Sequence, residues 1–378
     1  MRALVDQFAD QFHQARKKGA TSVADTKSGT KSLPKRRKVA LALQGGGSHG
    51  AFTWGVLDSM LESEAIDIVG VTGTSAGAMN AAVLADGLLG GGPAQARKRL
   101  RDFWEAIGRM PGFGTALWPM SGEDHAHFRL EQTPAYMAWD ALSRNLSPYD
   151  LNPLNFNPLR APLTELVDFD RLRAEKELHV CVCATNVLTS RRRVFTNKDI
   201  SIEAVLASAC LPQMFPAVVV DGEPYWDGGF SGNPAIGALI RRLGKCDLII
   251  IRVDPIIRAT VPRTPREIHD RVTEVSFNST FWLELSALAI FLRLVDEGVL
   301  DRERFGRILF HAIEASPQLE KIAASTKLDN SPAFLEFLFD LGRKTAKDWF
   351  ARNGAAIGKR STIDLQKLLP EGPVRLSE

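Results

Sequence analysis

Three short stretches of this chain combine nucleophilic, acidic and glycine residues at spacings suited to acyl-transfer chemistry. Gly73-Thr74-Ser75-Ala76-Gly77 has the form G-x-S-x-G. A serine presented on a turn from strand to helix needs a cramped backbone, and glycines on either side remove Cβ atoms that would collide with neighbouring elements. The helix that follows points its N–H groups and positive end at the serine, lowering the cost of developing negative charge. Ser75 is the expected nucleophile, with Ala76 beside it as a substrate contact. The competing reading is a Gly-Ser turn with no chemistry.

Gly45-Gly46-Gly47-Ser48-His49-Gly50 is the second stretch. Consecutive glycines between a strand and a helix leave backbone N–H groups bare, as an oxyanion hole or a phosphate cradle requires. Gly45, Gly47 and Gly50 also spell G-x-G-x-x-G, so a dinucleotide-binding oxidoreductase has to be weighed. That fold holds its ribose with an acid at the end of the second strand. Here Asp67 lies at the start of that run, which ends Gly70-Val71-Thr72-Gly73. No Lys-Ser/Thr follows the last glycine, so the loop is not a Walker A motif either.

A serine nucleophile needs a base. The histidines are His13, His49, His125, His127, His179, His269 and His311. A Ser–acid–His order would leave His269, in a charged helical stretch, or His311, in a strand-like run, and neither is a loop suited to presenting an imidazole. The third stretch, Asp227-Gly228-Gly229, offers a carboxylate instead. An exposed Asp titrates at about 3.9 and is a poor base, so the site must be dry enough to raise that value. The alternative is a solvated Asp-Gly turn. His125-Ala126-His127, next to Glu123 and Asp124, reads as an acidic loop rather than a metal site, since no further ligand pattern accompanies it. No metal or cofactor is expected.

These stretches have to be placed by a scaffold. Val39–Leu43 and Ile66–Val71 read as strands, followed by helical patterns from Gly50 to about Glu62 and from Ala78 to Leu89. Two successive βα units imply a parallel sheet covered by helices. Gly90-Gly91-Gly92-Pro93 breaks the chain before a helix over Ala94–Ile107. Further strands are expected at Leu178–Ala184, Arg193–Thr196, Ala217–Val220, Leu248–Val253 and Ile308–Ile313. A helix over Ile202–Ala209 is capped by Ser201, and another begins at Pro234 and runs to Leu243. The fold class is therefore α/β, a three-layer α/β/α arrangement with a mainly parallel central sheet, followed by a mostly helical C-terminal region. Residues 1–37 form a basic flexible leader, 38–260 the catalytic domain and 261–378 a helical region packing on it. Within the domain, residues 110–160 are rich in Pro, Asn and aromatic residues and read equally as core cover or as a lid with an acyl-chain channel.

The 378 residues carry a net charge of +3, but the first 38 hold ten Lys or Arg against three Asp, leaving the body at −4. That argues against a nucleic-acid-binding face. The leader is read as a solvated linker, with contact to an anionic membrane surface as the alternative. Cys181, Cys183, Cys210 and Cys246 form no CxxC pair and read as core thiols in a reducing compartment. The longest apolar run, Phe281–Val295, is interrupted by Glu284 and Arg293 and falls short of the roughly 20 residues a membrane span needs. A cytoplasmic location follows, with peripheral membrane association as a possible addition; the oligomeric state is open.

Taken together, the glycine turn, the G-x-S-x-G elbow and Asp-Gly-Gly, in that order at sheet edges, resemble the patatin-like phospholipase family from about Lys38 to Asn233. The flanks Val205-Leu206-Ala207-Ser208-Ala209-Cys210-Leu211-Pro212 and Trp226-Asp227-Gly228-Gly229-Phe230-Ser231-Gly232-Asn233-Pro234 are similar to segments of bacterial members. The resemblance implies a Ser75–Asp227 dyad, an oxyanion hole from the amides of Gly45, Gly46 and Gly47, and hydrolysis of fatty-acyl esters of phospholipids, lysophospholipids or related lipids. A transacylase using the same dyad, or a catalytically silent interaction protein, are the other outcomes it allows. One departure is His49, expected at a substrate-binding position where many relatives carry Arg or Lys; a His is charged only in part near neutral pH, which leaves ester hydrolysis intact but puts a strict phospholipid preference in doubt.

Overall fold

A computed structural model gives the structure of residues 36–110, 134–143, 145–243, 246–254, 261–301, 308–314, 319, 322 and 324–365. The leader's first 35 residues, His13, His125 and His127 lie outside the described residues. Eight strands among the described residues form one sheet: β1 (Arg37–Leu43), β2 (Ile66–Thr74), β3 (His179–Asn186), β4 (Arg192–Thr196), β5 (Val218–Val220), β6 (Glu223–Asp227), β7 (Cys246–Arg252) and β8 (Ile308–Glu314). Their order is β5-β6-β3-β2-β1-β7-β8, with β4 paired to β3 off that path. From β3 to β8 every pairing is parallel; β4, β5 and β6 add an antiparallel margin.

The helices are α1 (Gly50–Glu62), α2 (Ala76–Arg109), α3 (Pro134–Ser143), α4 (Pro148–Leu151), α5 (Arg160–Leu166), α6 (Phe169–Ala174), α7 (Ile202–Ser208), α8 (Ile236–Leu243), α9 (Pro265–Asp296) and α10 (Pro332–Asn353). Strand β1 shows why they fall on both faces. Val39, Leu41 and Leu43 point into one core with α1, α2, α7 and α10, while Ala40 and Ala42 point into a second core with α8 and α9. A strand buried on both sides reads as a continuous apolar run, as Val-Ala-Leu-Ala-Leu does.

Several local expectations carry over. Ser201 caps α7, its hydroxyl accepting the Ala204 N–H at 3.1 Å. The Gly90–Pro93 stretch breaks the helix as expected: Gly91 (φ 171°, ψ 17°) and Gly92 (φ 75°, ψ −161°) leave helical geometry, so that α2 is two helices in succession, and Trp104 Nε1 in the second donates to Asn80 Oδ1 in the first at 3.0 Å. Strand β6 is not evident from the sequence, because Glu-Pro-Tyr-Trp-Asp carries a proline and two charges. It forms at the margin of the sheet, where Pro224 carbonyl accepts from Val187. Cys181 and Cys183 are buried free thiols on β3, pushed by burial up to about 11 and about 12.

Helix α9 extends the apolar run at Phe281 in both directions, and its Glu267–Asp296 stretch is long and apolar enough, by length and composition, to cross a membrane. Its contacts are those of a flanking layer. Phe281, Leu285 and Ala289 are buried in the second core, and Glu284 binds both Arg192 and the Gly237 N–H at 2.6 Å. The C-terminal region completes the domain: β8 extends the parallel sheet beyond β7, and α10 lies along α1 with Phe339 4.0 Å from the Trp54 ring. Any Cβ on Gly55 would collide with the Phe339 carbonyl, and any on Gly342 with that of Phe52, so both glycines allow the two helices to touch backbone to backbone.

Candidate active site

The chain leaves β1 for β2 on one side, while β7 lies on the other. Crevices in open α/β sheets form at such reversals, outside the carboxyl ends of the strands. Three of these ends meet here: Gln44–Gly47 after β1, Ser75 after β2, and Val253–Asp254 after β7. Gln44 joins two of them, its side-chain oxygen accepting the N–H groups of Val253 and Asp254, each at 3.0 Å.

Ser75 occupies the residue between β2 and α2 with φ 55° and ψ −124°, a left-handed conformation unusual for a residue with a side chain. The surroundings hold it there. A Cβ at Gly73 would strike the Gly77 carbonyl, and one at Gly77 would strike the Leu43 carbonyl, so this turn admits no larger residue at either place. The Ser75 N–H donates to Ser208 Oγ at 2.9 Å, and Thr74 Oγ1 donates to the Gly232 carbonyl at 2.7 Å. Helix α2 starts immediately after, its Ala78 N–H donating to the Ser75 carbonyl at 2.8 Å.

Sheet register brings Asp227 to the same place. Thr74 pairs with Cys183 on β3, and the next residue, Ala184, pairs with Asp227 on β6. Asp227 is fully buried; its Oδ1 accepts the Gly229 N–H at 2.7 Å and its N–H donates to the Cys210 carbonyl at 2.8 Å. Oδ2 accepts no hydrogen bond of ordinary geometry, although the carboxylate lies near enough to the Ser75 hydroxyl for that group to stabilise its charge. Burial pushes the carboxyl up to about 7. The Gly229 amide, the Ser75 hydroxyl and the Lys327 ammonium pull it the other way, and the Asp254 charge adds to the rise.

Ser75 and Ala76 open onto a cavity of about 220 Å3 whose walls include Met79, Phe103, Trp104 and Leu159. Met110, Pro158 and Leu159 of the 110–160 stretch line it, while 111–133 and 144 lie outside the described residues. No described histidine lines it. His269 is exposed on α9. His311 is buried on β8 beside Thr362 and the Trp349 ring.

Two expectations for the glycine turn are corrected. The Gly45 N–H is not bare: it donates to Asn233 Oδ1 at 2.7 Å, which leaves Gly46 and Gly47 as the amides without such an acceptor among the described residues. His49 does not face the cavity. It is 1% exposed, with Nε2 2.8 Å from Thr326 Oγ1 and its ring edge on Phe334.

Asp254 and Lys327 are neighbours of this corner that the sequence did not single out. Lys327 Nζ lies 2.6 Å from Asp254 Oδ1 and lines the cavity. Nothing local marks either one: Asp254 lies two residues beyond the apolar strand β7, and Lys327 sits some 250 residues from the serine in a stretch without a motif. Ser208 and Asn233, by contrast, fall inside the two flanking segments already noted.

A family model described as patatin-like phospholipase matches residues 41–240. No curated protein matches the chain. Among solved structures, it is similar to VipD from Legionella pneumophila at 17% identity, covering 82% of this chain and 67% of that one with a TM-score of 0.33. It is also similar to ExoU of the Pseudomonas aeruginosa type III secretion system, solved in complex with SpcU, at 15% identity with a TM-score of 0.25. That alignment covers 82% of this chain and 54% of ExoU, so this chain spans about half the length of that relative.

Proposed function

Since the chain belongs to the patatin-like phospholipase family, we propose that it is a serine acyl hydrolase cleaving fatty-acyl esters of lipids through Ser75 and Asp227. The observation carrying this reading is a buried carboxylate held near neutral pKa beside a strained serine at the edge of an apolar cavity. An aspartate titrating at about 7 is basic enough to take a hydroxyl proton at physiological pH, which an exposed one is not.

In this mechanism Asp227 accepts the Ser75 proton as Oγ attacks the ester carbonyl. The tetrahedral oxyanion forms against the amides of Gly46 and Gly47, with the N-terminus of α2 adding its positive end. Collapse expels the alcohol, which takes the proton back from Asp227, and leaves the acyl chain on Ser75. Water then gives a proton to the same carboxylate as it attacks the acyl carbonyl, and Asp227 returns that proton to Ser75 Oγ as the bond to the acyl group breaks and the fatty acid leaves. The apolar walls hold the acyl chain. Of the 110–160 stretch, the described residues Met110, Pro158 and Leu159 line that cavity, which supports a share for this stretch in holding the acyl chain. The same reading puts the protein in the cytoplasm, with its basic leader as a solvated linker and contact with an anionic lipid surface as the alternative.

The test is fluorophosphonate labelling with peptide mapping, followed by hydrolysis of a panel of phospholipids, lysophospholipids and glycerides. Label on Ser75 and release of free fatty acid are expected. Ser75→Ala and Asp227→Asn should each lower turnover of a p-nitrophenyl acyl ester by roughly 10³-fold or more. Wild-type rates in either variant would sink the dyad, and acyl transfer to an added alcohol in place of fatty-acid release would make the protein a transacylase.

A further inference from the structure

We propose that Lys327 is the specificity-determining cation of this site, favouring acyl esters that carry an anion beside the scissile bond over neutral glycerides. The proposal deepens the hydrolase reading and rests on Ser75 marking where the ester lies.

Among the described residues that line the cavity, Lys327 alone carries a titratable side chain. An ammonium set in an apolar wall is costly unless it is paired. Here the partner is Asp254, whose carboxylate is fully buried while the Lys327 side chain remains 19% exposed. The pair is therefore anchored on Asp254, and Lys327 is its member that lines the cavity. An ammonium has three N–H donors, and one carboxylate oxygen at 2.6 Å does not use them all.

The position of this charge is set by the glycine turn. Gly47 has φ +58°, and a Cβ there would strike the Lys327 carbonyl, so the two backbones are in direct contact. A Cβ on Gly46 would lie 3.7 Å from Asp254 Oδ1. Gly46, Gly47, Asp254 and Lys327 thus share one corner, and backbone amides beside a cation form a place that favours anions. His49 contributes differently. Its bond to Thr326 clasps the 324–328 segment against the turn, and the next residue delivers the cation. Charge at this corner also reaches Asp227, whose ionised form Lys327 favours.

A phosphate next to an acyl ester, as in a phosphoglyceride, has the matching chemistry; a diacylglycerol or triacylglycerol does not. The experiment is isothermal titration of Ser75→Ala protein with decyl phosphate and with 1-decanol, which share a chain and differ in charge. Decyl phosphate should bind about 10- to 100-fold tighter. Combining Ser75→Ala with Lys327→Met and Asp254→Asn, which removes both charges and leaves none buried alone, should abolish that preference, and Lys327→Arg should retain it. Lys327→Gln paired with Asp254→Asn offers a second neutral variant if the first pair does not fold. A preference that survives neutralisation, or no preference in the Ser75→Ala protein, overturns the proposal. Binding needs no turnover, so a wild-type protein that hydrolyses nothing would sink the hydrolase reading while this result still decided the role of Lys327.

Discussion

At the scale of single residues, the useful property of Asp227 is also a liability. Burial raises its pKa from 3.8 to about 7, so the folded protein holds that proton more tightly than the unfolded chain. Stability therefore falls as pH rises from about 4 towards 7, while the fraction of ionised base grows over the upper part of the same interval. Two outcomes are expected. The kcat/KM for a p-nitrophenyl acyl ester should rise with pH along a single limb centred near 7, and a limb near 4 would mean that some other group is the base. Asp227→Asn cannot ionise, so in denaturant unfolding at pH 8 it should be more stable than the parent by roughly 1–4 kcal/mol, with the gain vanishing by pH 4. A variant that is inactive and less stable at pH 8 would contradict the burial argument. His49 is instructive for the opposite reason: its place in the glycine turn suggested a substrate contact, and packing assigned it to a bond with Thr326.

At the scale of elements, the site depends on backbones that nearly touch. Gly77 admits the Leu43 carbonyl at the start of α2, so Gly77→Ala must push β1 and α2 apart. It is expected to cost about 1–3 kcal/mol in denaturant unfolding and to lower esterase activity by about 10²-fold, because displacement of the nucleophile by an ångström is enough. Full activity would show that the elbow tolerates a wider turn. Ser208→Ala leaves the Ser75 N–H without its acceptor and should cost roughly 1–3 kcal/mol. If urea unfolding shows no change, that hydrogen bond is not what holds the strained turn.

The whole molecule closes around its C-terminal region. Helix α10 lies on α1, β8 extends the sheet, and the 324–328 segment meets the glycine turn, so part of the site wall comes from outside the matched span of 41–240. Gly342→Leu would force α10 away from Phe52. It should lower the melting temperature and, by loosening the same region, weaken decyl phosphate binding; a stable protein with unchanged affinity would separate the helix seam from the site.

Much of this was legible in the residues alone, for a physical reason. Apolar runs buried on both faces, glycines at strand ends and a serine or aspartate set among them are local patterns, and local sterics dictate the turns they form; hence the parallel sheet, the elbow at Ser75 and the order of the three motifs. The sequence marked the groups that the proposed reaction uses. Only the tertiary structure decided what surrounds them. Strand β6 was hidden by Pro224 until β3 paired with it, the Gly45 amide was claimed by Asn233, and Lys327 met Asp254 across a gap that no spacing rule spans. Burial and long-range contact depend on how layers stack, and that information belongs to the folded chain as a whole.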